Sequence, residues 1–441
     1  MDRTAIGELN EKVGSEVRVA GSVSVRRDHG KLIFFDLRDQ SGTVQAVVTP
    51  KVDAHKVASE MRPEWAVRVG GVVNKRPDNM VNSEIPLGDI ELEVKEIEVL
   101  GRAQELPFDT DAELNIDTHL DYLPLTLRTK KSRAIFKVQS EIAYAFRDSL
   151  KKCGFTEFQA PKIIGEDAEG GASVFEVEYF DNKANLAQSP QFYKQIMVGV
   201  FEKVFSVGSV FRAEKHKTTR HLNEYTSLDI EMGYIEDHTD VMKFTSGLMR
   251  VINEHLKETC KEEFELLGAE FPSIPEEIPY MKLREAQELI KAEFGEDGVG
   301  APDLEPQHER MISEYAKNQF DSDFVFVTHF PTSKRPMYTY PDEEDPTYTK
   351  GFDLLFRGLE ILTGSQRIHD YDQLVESMKK KGLVPEKFSF YLQAFKYGMP
   401  PHGGFGMGLE RLTARFLGLD NVKEATLFPR EINRIDTLLS E

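Results

Sequence analysis

Over the first hundred residues, apolar and polar positions alternate in short runs. "EVRVAGSVSVRRD" (16–28), "KLIFFDLRD" (31–39), "TVQAVVT" (43–49), "AVRVGGVVNKRP" (66–77) and "DIELEVKEIEVL" (89–100) carry the period of two, or the Val/Ile/Phe enrichment, of half-buried strands. "QSG" (40–42) reads as a hairpin turn, and "DAHKVASEMR" (53–62) as a short helix between the third and fourth strands. Three strands, a helix and two strands make the layout of a five-stranded OB barrel. Such barrels often bind single-stranded nucleic acid on one face.

The alternation then lapses. Residues 104–130, with Pro107 and Pro124, read as a linker between a barrel domain (1–103) and a larger domain (131–441). In the larger domain Ile135, Val138, Ile142, Phe146 and Leu150 recur at spacings of three and four, one face of a helix. "SLDIEMGYI" (227–235) sets Leu228, Ile230, Met232 and Tyr234 against Asp229 and Glu231, as a strand would. "DFVFVT" (323–328) and "GFDLLFRG" (351–358) are also strand-like, and "EKFSFYLQAFKYG" (386–398) reads as a helix closed by Gly398. The expected class is α+β. No repeat, low-complexity tract or heptad run interrupts it.

Composition narrows the picture. The 441 residues are 40% apolar and 29% charged, an ordinary globular balance. A net charge of −20 argues against nucleic-acid binding over the whole surface, but not against local basic patches. Arg26, Arg27, His29, Lys31 and Arg38 form one, and "RTKKSR" (128–133) another. Two cysteines, Cys153 and Cys260, leave no disulfide framework and no zinc cluster, which suits a reducing cytoplasm. No apolar run approaches the ~18 residues of a membrane span, and the first residues lack the apolar block of a signal peptide.

Three clusters carry candidate chemistry. In "FRAEKHKTTRHLNEYTSLDIEM" (211–232), Arg212 follows a strand and can clamp a phosphate in a fork. Arg220 and His221 can fold back over the same phosphates, and Tyr225 offers a face for a purine. A solvated charged loop would read the same way. In "GFDLLFRGLEILTGSQRIH" (351–369), Asp353 and Glu360 are the carboxylates Mg²⁺ needs beside phosphate oxygens; an Arg357–Glu360 ion pair is the plainer reading. In "PPHGGFGMGLERLTARFLGL" (400–419), glycines allow close backbone approach, and Arg411 in the first turn of a helix calls for an anionic partner. A salt bridge to Glu410 or Glu424 would supply one. No G-x-x-x-x-G-K-[ST] is present, and Leu409 spoils the only near match to G-x-G-x-x-G, so parallel-sheet nucleotide folds are excluded.

The helix from 133 with "FTEFQAP", the stretch "FRAE…TTRHLNEYTSLDIEM" and "GFGMGLERL" resemble, in this order, the first, second and third motifs of the class II aminoacyl-tRNA synthetases. A barrel ahead of that core resembles subclass b, which charges aspartate, asparagine or lysine. The resemblance implies ATP as co-substrate, a homodimer built on the first motif, and tRNA as partner. It implies that Arg212 holds the α-phosphate, Glu214 lies beside the adenine and amino-acid sites, and Arg220 and His221 reach the outer phosphates. Tyr225 and Arg411, with Gly408, bracket the adenine. Asp353 and Glu360 carry Mg²⁺, and Glu360 also meets ATP.

The amino acid follows from two further stretches. "GEDAEGGASVF" (165–175) resembles a loop closing over aspartate, with Glu169 at its ammonium, and "LAQSPQFYKQ" (186–195) resembles the aspartate enzymes at Ser189, Gln191 and Lys194. Thr363 and Arg367 complete the implied aspartate site. Lys194 and Arg367 would place two cations on the side-chain carboxylate; asparagine would leave them unpaired at roughly 3–5 kcal/mol. The implied substrates are L-aspartate, ATP and tRNA(Asp), with tRNA(Asn) left open. An asparagine enzyme and an RNA-binding paralogue without catalysis are the alternatives. The span between Met232 and Asp323 leaves no room for the extra domain of most bacterial aspartate enzymes, so the catalytic half resembles archaeal and eukaryotic members. By the same resemblance Arg27, Phe34, Gln45 and Glu91 read the anticodon, although "LIFF" must also bury one phenylalanine in the barrel core.

Overall fold

The structure, a computed structural model, describes residues 2–82, 87–109, 112–165, 174–215 and 218–439. They form two compact units, Met1–Ala112 and Glu113–Glu441.

The first unit is a closed barrel of β1 (Glu16–His29), β2 (Leu32–Arg38), β3 (Thr43–Val48), β4 (Ala66–Lys75) and β5 (Ile90–Gly101), in the order β1-β2-β3-β5-β4, with α1 (Ala54–Glu60) between β3 and β4. Alternation is the cause. Ile33, Phe35 and Leu37 point into a core with Val19, Val67, Val69 and Leu92, while Phe34 and Asp36 point outward. The two phenylalanines of "LIFF" therefore divide: Phe35 is core and Phe34 is half-exposed.

The second unit begins inside the stretch expected to be a linker. Two short helices, α2 (Ile116–Asp121) and α3 (Leu123–Thr126), bury Leu120, Leu123 and Thr126, and the buried Arg434 donates to Asp121 at 2.6 Å. The long helix α4 (Lys130–Lys152) follows, capped by the Thr129 side chain accepting from the Ser132 N–H. Its stripe, Ile135 to Leu150, is buried as expected. Next come β6 (Thr156–Glu157), a small three-stranded sheet of β7 (Ile163–Ile164), β8 (Glu176–Tyr179) and β9 (Asn182–Leu186), and α5 (Gln191–Phe201). The hairpin of β10 (Lys203–Phe211) and β11 (Glu224–Gly233) is followed by α6 (His238–Thr259) and α7 (Lys261–Leu267). After β12 (Tyr280–Lys282), α8 (Leu283–Phe294) and α9 (Pro306–Phe320) come β13 (Phe324–Thr328), β14 (Gly351–Phe356) and β15 (Leu359–Arg367). The chain ends through α10 (Tyr371–Lys380), α11 (Ser389–Lys396), β16 (His402–Gly408) and α12 (Leu409–Phe416).

Eight of these strands make one sheet, β12-β13-β14-β15-β16-β11-β10-β6, antiparallel except for its two outermost pairs. Leu228, Ile230, Phe352, Leu354 and Phe405 belong to one core with the apolar stripes of α4 and α6. On β11 the alternate residues, Asp229 and Glu231, go to the opposite face.

Two expected local features change. The glycine-rich stretch 402–408 is a strand in the middle of the sheet, because its neighbours crowd it: a Cβ at Gly404 would overlap the Ile230 carbonyl oxygen and the Glu231 carboxylate. The helix over 386–398 is broken into a 3₁₀ turn, Pro385–Phe388, and α11, with Gly398 left-handed at φ +103° just beyond the end.

Candidate active site

One cavity of about 390 Å³ opens on the face of the sheet that carries Asp229. Its wall includes Ser189, Gln191, Lys194, Arg212, Glu214, Arg220, His221, Tyr225, Glu360, Thr363, Arg367, Gly408 and Arg411, which the sequence spreads over more than two hundred positions. Asp353 does not line it, and Glu169 lies outside the described residues.

At one end α5 places Gln191, Lys194 and Gln195 on one helical face, since they are three and four residues apart. Lys194 is 1% exposed. Its Nζ donates to Asp229 Oδ1 at 3.0 Å and to the Phe405 carbonyl at 3.0 Å, and lies 3.4 Å from Glu231 Oε2. Arg367 reaches the same Glu231, Nε to Oε1 at 2.9 Å, and also donates to Ser365 Oγ and the Gly404 carbonyl. Burial pushes the Glu231 carboxyl up, but Arg367 and Lys194 outweigh it and hold it below the usual range. Both cations thus meet in one place, and the expectation that they await a counter-charge is corrected. Glu231 and Asp229, which in the sequence show only as the polar face of a strand, already balance them.

At the other end the motif residues converge. Arg212 lies over the Tyr225 ring at 5.7 Å and beside Glu214 at 3.8 Å. Glu214 also faces His221 at 3.8 Å. Arg220 is gripped by Glu309 of α9, Nη2 to Oε1 at 2.8 Å, a partner 89 residues away that no local signal could reveal. Arg411 donates to the backbone carbonyls of Arg220 and Glu360 and lies 3.8 Å from the Glu360 carboxylate. The anionic partner demanded at the start of α12 is therefore Glu360, not Glu410 or Glu424. Glu410 instead accepts from the Thr226 N–H, and burial lifts its carboxyl to about 7. Arg357 pairs with Asp323, not Glu360.

The two candidate metal carboxylates sit differently. Glu360 lines the cavity and accepts from Thr363 Oγ1 at 3.0 Å. Asp353 opposes Thr363 across the β14–β15 pair and accepts from Arg335 at 2.7 Å. Burial foremost, with Glu360 adding to it and Arg335 opposing, lifts Asp353 to about 7; its Oδ1 has no hydrogen-bond partner. Arg335 was not anticipated, although "SKRP" (333–336) did announce a cation in a rigid turn. Among the described residues no three His, Cys, Asp or Glu side chains cluster as a metal site.

On the barrel, Arg27 pairs with Phe34 in register, Asp36 with Gln45, and Ala46 with Leu92, which brings Glu91 alongside Gln45. All four anticipated residues therefore share the outward face of β1, β2, β3 and β5. Arg27 is tied to Asp36 at 2.8 Å.

Comparison with known proteins agrees with this architecture. Residues 115–432 match the family model described as tRNA synthetases class II (D, K and N), and residues 17–100 that of the OB-fold nucleic acid binding domain. The chain is 48% identical to the aspartate–tRNA(Asp/Asn) ligase of Thermus thermophilus, covering 98% of this chain and 99% of that protein. It is 46% identical to the protein of the same name from Deinococcus radiodurans, covering 99% of each. The asparaginyl-tRNA synthetase of Pyrococcus horikoshii, solved with asparaginyl-adenylate, superposes with a TM-score of 0.91 at 33% identity over 99% of both chains.

Proposed function

The chain belongs to the class II tRNA synthetases (D, K and N), and from that premise we propose that it activates L-aspartate with ATP and transfers it to tRNA(Asp). The α-carboxylate of aspartate attacks the α-phosphorus of ATP, giving aspartyl-adenylate and pyrophosphate. The terminal 3′-hydroxyl of tRNA then attacks the acyl carbon and releases AMP. Such chemistry asks the protein for positioning and charge neutralisation rather than a covalent helper.

The observation that carries the reading is the meeting of Lys194 and Arg367 at one end of a cavity whose other end is lined by Arg212, Arg220, His221 and Arg411. Lys194 and Arg367 hold the side-chain carboxylate, while Ser189, Gln191, Thr363 and, by resemblance, Glu169 place the rest of aspartate. Arg212 neutralises charge building at the α-phosphate. Arg220 leaves Glu309 to meet the outer phosphates with His221. Tyr225, Gly408 and Arg411 hold the adenine, with Glu214 beside it. Glu360 would hold Mg²⁺ against the phosphates, with Asp353 behind it; when bound, the ion would offset phosphate charge. The outward barrel face at Arg27, Phe34, Gln45 and Glu91 reads the anticodon. The relatives named for both tRNAs support charging of tRNA(Asn) as well. A homodimer through α4 and a cytoplasmic location complete the proposal; among the described residues no helix is long and apolar enough to cross a membrane.

Pyrophosphate exchange, run separately with aspartate, asparagine and lysine, tests this, followed by charging of purified tRNA(Asp) and tRNA(Asn). Exchange with aspartate and charging of tRNA(Asp) are expected. Exchange driven by asparagine alone, or none with any of the three, would overturn it.

A further inference from the structure

Behind Gln191, at the aspartate end of the cavity, lies a chain of buried polar groups that the proposed reaction does not otherwise use. His402 begins β16 and is fully buried, with its backbone paired to that of Arg367. Its Nδ1 lies 2.8 Å from the Pro400 carbonyl, which can only accept, so Nδ1 carries the proton. Its Nε2, 2.9 Å from Gln195 Nε2, must therefore be the acceptor, and Gln195 donates. That fixes the Gln195 amide. Its oxygen is turned away from His402 and accepts from Tyr391 Oη at 2.9 Å and Gln191 Nε2 at 2.9 Å. Gln191 thereby commits its amide nitrogen inward. Its Oε1 takes no hydrogen bond among the described residues and is left open on the cavity wall.

We propose that His402 is a positioning residue: through Gln195 it sets the Gln191 amide with its oxygen toward the cavity, as an acceptor for the substrate's ammonium group. The inference rests on the aspartate reading above and deepens it. An outward amide oxygen welcomes the ammonium and repels either carboxylate; a flipped Gln191 would do the reverse. The direction of two amides is thus set by one imidazole tautomer about two residues removed from the ligand. Burial agrees with a neutral ring, pulling the His402 pKa down to about 4.

The test is pyrophosphate exchange by His402→Phe and Gln195→Met, each of which cuts the chain at a different link. The aspartate KM should rise about 10- to 100-fold, the worth of a hydrogen bond to a charged group, with the ATP KM within about twofold of the unmodified enzyme. Inhibition by succinate, which is aspartate without its amino group, should not weaken. His402→Gln, which can donate to Pro400 and accept from Gln195, should restore the aspartate KM. An aspartate KM that stays put, or succinate binding that weakens in step with aspartate, would overturn the proposal. If His402→Phe does not fold, Gln195→Met decides alone. Failure of the unmodified enzyme to exchange with aspartate would instead strike the functional reading, and is seen before any variant is made.

Discussion

Replacing Lys194 with methionine separates two roles that one ammonium group plays. The side chain is 1% exposed, and its partners Asp229 and Glu231 are 2% and 0% exposed. Methionine fills much of the volume but supplies no charge. Glu231 keeps Arg367. Asp229 keeps the Ser227 hydroxyl but loses the ammonium that donates to it, so one buried carboxylate loses its direct ion pair. Breaking a buried pair in this way costs about 3–5 kcal/mol, which lowers the midpoint of thermal unfolding by about 6–10 °C at roughly 2 °C per kcal/mol for a large domain. A structural counter-ion and a substrate clamp would both be lost. The double variant Lys194→Met/Asp229→Asn removes the stranded charge, so most of the stability should return. Aspartate use should not return, because the carboxylate still lacks its cation; kcat/KM for aspartate should stay about two to three decades down, at 1.4 kcal/mol per decade. Differential scanning fluorimetry and pyrophosphate exchange at saturating ATP read the two quantities. Recovery of aspartate use together with stability would refute the clamp and leave Lys194 as a structural ion.

Three further outcomes are expected. Gly404→Ala should lower stability by about 1–3 kcal/mol or more and weaken aspartate use, since the added carbon displaces Glu231 from Arg367; unfolding curves matching the parent would contradict the crowding. Glu410, raised to about 7 in the fold from 4.5, holds its proton more tightly folded than unfolded, so its contribution is full below about pH 4.5 and is lost as pH rises through 7. Glu410→Gln should remove that slope and leave the protein more stable than the parent at pH 8 by up to about 3 kcal/mol, as urea unfolding across pH would record. Phe34→Ala should weaken tRNA by about 1–3 kcal/mol in charging assays without touching pyrophosphate exchange; a loss in both would place Phe34 in the fold rather than on RNA.

The barrel was legible almost residue by residue because each strand has one wet and one dry face, and a period of two survives in sequence. The stripe on α4 survived for the same reason. What failed to show was whatever depends on a distant partner. Glycines in β16 give little alternation to read, so a central strand did not show, although Gly406 and Gly408 do reach the cavity wall. The break at Phe388 falls where Phe388 and Tyr391 pack around Phe192, a contact with a distant helix. Motif arginines could be named by resemblance, but Glu309 on Arg220 and Arg335 on Asp353 join elements 89 and 18 residues apart.

The least legible feature changes the energetics most. From sequence, two cations facing an empty pocket promise a large penalty against an uncharged substrate. In the fold, Lys194 and Arg367 are matched by Asp229 and Glu231, so the four side chains sum to no net charge. Asparagine therefore strands no ion, and the full cost of an unpaired buried charge does not apply. What remains is direction. Ammonium and guanidinium groups only donate, and an amide presents one oxygen and one nitrogen where a carboxylate presents two acceptors. A mismatched donor costs about 1–3 kcal/mol, one to two decades at 1.4 kcal/mol each. Selection against asparagine then depends on how rigidly the donors are held, which makes Glu231, locked between both cations with no exposure of its own, the residue that turns a neutral cluster into a selective one.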